Sequence, residues 1–145
     1  MADALGASAF FMSWSWGQGM SVRHISTGSP FEKTIGYSRA VVADGLVHVA
    51  GTTGYDYGTM TMPEAITDQC RNAIATIAGV LDQAGSGLDH VVRVRYILPD
   101  KADWEPCWPI LSDAFARALP AATVFFAELQ NPEMKIEIEV TARVP

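Results

Sequence analysis

Charged side chains in this 145-residue chain fall at alternate positions in two short segments: Arg93 and Arg95 in VVRVRYIL, Glu137 and Glu139 in KIEIEV. A period of two puts such residues on one face of a strand and the apolar residues between them on the other. Two guanidinium groups and two carboxylates on neighbouring strands support cross-strand ion pairs, each contributing about 0.2–1 kcal/mol, or a subunit interface lined with polar groups. Thr52, Tyr55 and Tyr57 in GTTGYDYGT offer hydroxyls to a neutral ligand, or cover a glycine-rich turn. Other chemistries lack their parts. His24, His48 and His90 have no metal-ligand spacing with one another or with Cys70 and Cys107, so no metal is expected. Both cysteines stand among apolar residues in helical stretches, which reads as buried thiols rather than a disulfide or a nucleophile. GTTGYDYG lacks the Walker lysine and the dinucleotide spacing, and no cofactor is expected.

The elements that must position these residues are legible in patterning. RAVVADGLVHVAG is two β-branched runs around Asp44-Gly45, the turn pair of a tight hairpin, and predicts strands over 38–43 and 46–50. Thr61-Met62-Pro63-Glu64 has the form of a capping box. It predicts a helix running to about Ala84, with Ile66, Cys70, Ala73, Ile74, Ile77 and Leu81 as its buried stripe and Gly85 as its cap. Val91 to Leu98 alternates as a strand with Val92, Val94 and Tyr96 inward. Asp100 to Leu119 reads as a second helix burying Trp104, Cys107, Leu111 and Phe115, with Pro106 and Pro109 permitting only a first-turn position or a distorted entry and Pro120 ending it. Two further strands flank Asn131-Pro132, the last alternating Ile136, Ile138 and Val140 against Glu137, Glu139 and Thr141. Strand, strand, helix, strand, helix, strand, strand makes an α+β sheet with both helices on one face.

Composition bounds the function. The chain is 49% hydrophobic and 18% charged, enough for one domain that buries about two-thirds of its unfolded surface. Ten basic against sixteen acidic residues give a net charge of -6, and the basic residues are dispersed, so nucleic acid is disfavoured. The apolar run near the start is too short to span a bilayer, and Asp3 stands where a signal peptide would be basic. Met12 and Met20 are alternative starts. Residues 1–19 are expected to be an extension without a catalytic role, and 20–145 a single domain in a reducing, cytoplasmic setting.

Three stretches, YSRAV followed by LVHVAG, RNAIATIAGVLDQAGSGLDHVVRVRYIL, and above all PAATVFFAELQNPEMKIEIEV, resemble the Rid family of reactive-intermediate imine deaminases. That family is also called YjgF and, historically, endoribonuclease L-PSP. The resemblance spans Thr27 to Val144, and its most specific piece is KIEIE, starting fifteen residues after Pro120. It implies a chorismate-mutase-like fold and a homotrimer whose sheets face one another, with ligand clefts at the subunit interfaces. In the deaminases an arginine in P-A-R-(S/T) clamps the substrate carboxylate, a glutamate of the last strand orients water onto the imine carbon, and a tyrosine near the amino end closes the pocket. Carried over, the glutamate is Glu137 and the tyrosine Tyr37 of GYSRA. The arginine position falls on Ala122, beside Thr123, and the pocket rim on Gly51 and Thr52. The resemblance thus implies a small-molecule ligand and a C–N hydrolase with Glu137 orienting water, weak toward 2-imino acids because Ala122 offers no donor. Arg39 and Arg95 are the residues expected to supply a cation instead. The alternative is a non-catalytic ligand-binding or regulatory trimer.

Overall fold

The computed structural model describes residues 21–145; the extension expected at 1–19 lies outside the described residues. One mixed sheet organises the domain. Its strands are β1 (Arg23–Ile25), β2 (Ala40–Ala43), β3 (Leu46–Thr53), β4 (Val91–Leu98), β5 (Ala121–Phe126) and β6 (Glu137–Arg143), in the spatial order β1-β2-β3-β6-β4-β5. Every pairing is antiparallel except β4 with β5, which a helical crossover joins in parallel. The helices are α1 (Pro30–Ile35), α2 (Ile66–Gln83) and α3 (Trp104–Ala114).

The hairpin forms as Asp44-Gly45 dictates. Both residues have positive φ, 54° and 76°, the backbone twist that a two-residue turn between β2 and β3 requires. On one face, Val47 and Val49 of β3, Val94, Tyr96 and Leu98 of β4, and Ile138 and Val140 of β6 meet the predicted stripes of α2 and α3 in a continuous buried core. Cys70 and Cys107 are free and buried there. The Cys107 thiol beside Cys70, together with burial, holds the Cys70 thiol above its usual pKa, so it is poorly suited to nucleophilic work.

Several boundaries depart from the sequence reading. Helix α2 starts at Ile66 with Ala65 as an unassisted N-cap, because Thr61 is used elsewhere: it bridges to Asp56, and its hydroxyl lies 2.8 Å from that of Thr59. The capping box belongs instead to α1, where Ser29 accepts from the Phe31 amide and Glu32 accepts from the Ser29 amide at 3.1 Å, with Pro30 in the first turn. Neither α1 nor β1 was expected. The second helix is shorter than predicted. A 3₁₀ turn at Lys101–Asp103 precedes it, Pro109 lies inside it, and it ends at Ala114 before a left-handed Leu119 leads into β5. Val92 is exposed rather than inward, because the β4–β6 register shifts between Val91 and Arg93. Among the described residues no helix is long and apolar enough to cross a membrane.

Candidate functional site

Arg39 is the centre of the predicted set. It stands just before β2, where its carbonyl accepts from the Ala50 amide at 2.9 Å, and its side chain is 1% exposed. Nη1 donates to the Gly51 carbonyl at 2.7 Å and to Thr52 Oγ1 at 3.1 Å, and Nη2 donates to Tyr37 Oη at 3.1 Å. The rings of Tyr37 and Tyr57 lie 5.5 and 5.2 Å from the guanidinium carbon, within cation–π range. The backbone before it is fixed by Glu32, whose Oε1 accepts the Arg39 amide at 3.1 Å while Oε2 takes Thr27 and Ser29 donors. Burial alone would raise the Glu32 pKa, but these bonds bring it below the usual carboxylate range.

Gly51 joins this cluster to Glu137. The β3–β6 register shifts between Val49 and Thr52, and at that irregularity Gly51 packs directly against the Glu137 carboxylate, leaving no room for a Cβ. Glu137 opens β6 opposite Thr53 of β3 and Ile97 of β4. Its neighbours Ile136 and Ile138 are fully buried in the helix-side core, so by alternation the carboxylate lies on the other face. Burial, then the nearby Glu139, raise its pKa, and Arg39 pulls the other way. A half-buried carboxyl with a raised pKa is better matched to exchanging a proton with water than a fully solvated one. Tyr37 is half-buried; burial raises its phenol pKa and Arg39 opposes the shift.

Tyr37, Arg39, Gly51, Thr52 and Glu137 are therefore one constellation drawn from the segment leading into β2, from β3 and from β6. The other predicted residues lie apart from it. Arg95 pairs with Glu139 at 2.8 Å, so the ion pair considered for Glu137 is taken by its neighbour on β6. Being half-exposed, the pair contributes less than about 1 kcal/mol. Thr123 accepts from Arg93 at 3.4 Å. Ala122 pairs with Val94, a core residue, and so faces the helix side of edge strand β5. There it lines an open groove of about 550 Å³ with Tyr96, Trp104, Trp108, Phe115 and Leu119. Within one chain, Ala122 and Glu137 look to opposite faces of the sheet. Tyr57 supplies a ring over Arg39 rather than a ligand hydroxyl, and Tyr55 is committed to Glu133 and Asn131. The ring contact had no signal in the sequence beyond the aromatic itself, because it depends on how the 54–61 loop folds back.

A six-stranded mixed sheet backed by two helices is the fold of a known class. The family model described as endoribonuclease L-PSP matches residues 27–144; the chain belongs to this family, the YjgF/Rid proteins. It is 32% identical over 119 residues to the RutC family protein UK114 of Drosophila melanogaster, covering 81% of this chain and 86% of that one. A mouse protein named 2-iminobutanoate/2-iminopropanoate deaminase is 25% identical over 107 residues, 73% of this chain and 79% of its own length. The crystal structure of a YjgF/YER057c/UK114 family member from Mycobacterium tuberculosis superposes with a TM-score of 0.78 at 37% identity, over 86% of this chain and 100% of that one.

Proposed function

We propose that this family member is a homotrimeric C–N hydrolase of the cytoplasm, acting on a small imine or enamine in clefts between subunits. The observation that carries the reading is the placement of Glu137: half-buried, raised toward its acid form, and set on Gly51 beside the Tyr37–Arg39 pair. In this reading Glu137 takes a proton from water as its oxygen adds to the imine carbon and passes it to nitrogen, giving a carbinolamine. It then carries the remaining hydroxyl proton to the same nitrogen, so that the C–N bond breaks, ammonia leaves and a carbonyl remains. Trimer assembly is supported by β5, an edge strand that carries Phe125 and Phe126 exposed and that, among the described residues, has no strand paired on its outer side.

The departure at Ala122 bears on substrate choice. An alanine has no donor for a carboxylate, and losing one partner of a desolvated charge pair commonly costs about 2–5 kcal/mol. The reading is therefore a weak hydrolase of 2-imino acids compared with a relative that keeps the arginine. The apolar groove around Ala122 favours the second reading, a non-catalytic binder of a small ligand. Coupled detection of keto acid and ammonia from freshly generated 2-iminopropanoate separates them. Turnover that Glu137→Gln abolishes supports the hydrolase; ligand binding without turnover supports the binder.

A further inference from the structure

Arg39 carries a buried charge with no counter-ion in contact. Among the described residues, no carboxylate oxygen lies within 4.0 Å of its guanidinium. Its three side-chain hydrogen bonds go to the neutral oxygens of Gly51, Thr52 and Tyr37, and Nε, sealed from solvent, has no partner among the described residues. Buried charges are ordinarily matched by an opposite charge, because an unmatched one is costly in a medium that solvates poorly. The rings of Tyr37 and Tyr57 and the Glu137 carboxylate, which feels the charge without touching it, offset part of that cost.

The direction of one hydrogen bond decides where this charge can act. A guanidinium only donates, so Tyr37 Oη accepts from Arg39 and must point its own proton elsewhere. Tyr37 is half-buried while Arg39 is sealed, which makes the phenol the route by which the charge meets a ligand. We propose that Tyr37 and Arg39 form an anion-recognition pair: the carboxylate of a small ligand accepts the Tyr37 O–H, and the Arg39 charge behind it supplies compensation that Ala122 cannot. This rests on the reading of the Glu137 constellation as a ligand cleft. A monoanion fits better than a phosphate dianion, because Glu137 and Glu139 line the same face and Arg95 is already paired with Glu139.

The test is calorimetric titration of the full chain with pyruvate and with pyruvamide, its neutral counterpart, in wild type, Tyr37→Phe, Arg39→Gln and Arg39→Lys. Wild type is expected to prefer pyruvate by about tenfold or more, the range for one hydrogen bond to a charged group. Tyr37→Phe and Arg39→Gln are expected to erase that preference, with the loss falling on pyruvate far more than on pyruvamide, and Arg39→Lys to keep part of it. Equal affinities in wild type, no detectable pyruvate binding at millimolar concentration, or a preference that survives Tyr37→Phe would each overturn the proposal. Tyr37→Phe removes a single oxygen, so the test holds even if Arg39→Gln fails to fold. Carboxylate preference without imine turnover sustains the pair and sinks the hydrolase reading; turnover without carboxylate preference does the reverse.

Discussion

Gly51 and the Glu137 carboxylate occupy adjoining space so closely that a methyl group on Gly51 would overlap the carboxylate oxygen and carbon. The obstacle is the far end of a flexible side chain, so Gly51→Ala should displace the carboxylate and spare the fold. A displacement of about 1 Å at a reacting group can cost on the order of a hundredfold in rate. Gly51→Ala is therefore expected to lower turnover at least tenfold while shifting the melting temperature by less than about 3 °C. Gly54→Ala is the contrasting case. A Cβ there would press on Cα and Cβ of Gln69 in α2, which cannot swing away, and melting should fall by more. Thermal melts and activity on the same preparations check both.

Two glutamates of the site should give opposite pH signatures of stability. Glu137 has a raised folded-state pKa, from burial first and Glu139 second. Between its ordinary value and that raised value the folded state binds more protons than the unfolded chain, so stability declines as pH rises through this window. Glu137→Gln should then raise the melting temperature at pH 7 by about 1–3 °C, with the difference vanishing at pH 4. Glu32 has a lowered folded-state pKa despite its burial, owing to the Thr27, Ser26 and Arg39 donors. Its stabilisation is present above the ordinary carboxylate pKa and lost as pH falls through the lowered one, so Glu32→Gln should destabilise at pH 7 and less so near pH 3. Melts of the three proteins across pH 3–8 decide the signs.

Ser29 and Thr61 each begin an S/T-x-x-E sequence, yet only Ser29 caps a helix. Ser29→Ala should cost about 1 kcal/mol, the usual value for an N-cap, and Thr61→Ala less than about half of that. Denaturant midpoints are sufficient to rank the pair, and an equal loss for both would place Thr61 in a capping role after all.

That contrast shows what the sequence could convey. Local rules with a single solution were legible: Asp44-Gly45 admits one turn, the spacing from Ile66 to Leu81 one buried stripe, and the alternation of Ile136 to Thr141 one inward face. The start of α2 was not, because a capping box is permissive and what excluded it was a tertiary contact, the Asp56–Thr61 bridge. For the site, the family pattern located Glu137, Tyr37 and Gly51 by position. The bonds of Arg39 to Tyr37, Gly51 and Thr52 depend on the bulge in β3 and on burial, neither of which one sequence expresses. The same limit explains Val92, whose face was inverted by a single register shift between Val91 and Arg93.

Ala122→Arg tests the assembly and the chemistry together. Ala122 is exposed on edge strand β5, so a long side chain can extend into the groove beside Trp108 and Leu119 with little change in stability. Because Ala122 faces the helix side of the sheet and Glu137 the other, a guanidinium at 122 cannot serve the Glu137 of its own chain; in the proposed trimer it would serve that of a neighbouring subunit. Ala122→Arg is expected to raise kcat/KM on 2-iminopropanoate at least tenfold, in line with about 2 kcal/mol for a restored charge contact. The double variant Ala122→Arg with Glu137→Gln should be inactive alone. Co-refolded with wild type, it should regain activity above either parent, since mixed trimers bring the guanidinium introduced at position 122 to a wild-type Glu137. Light scattering of the same samples reports the trimer. Absence of complementation in verified mixed trimers would mean that the two positions never share a cleft, and the interfacial site would have to be abandoned for one confined to Tyr37, Arg39 and Glu137 of a single chain.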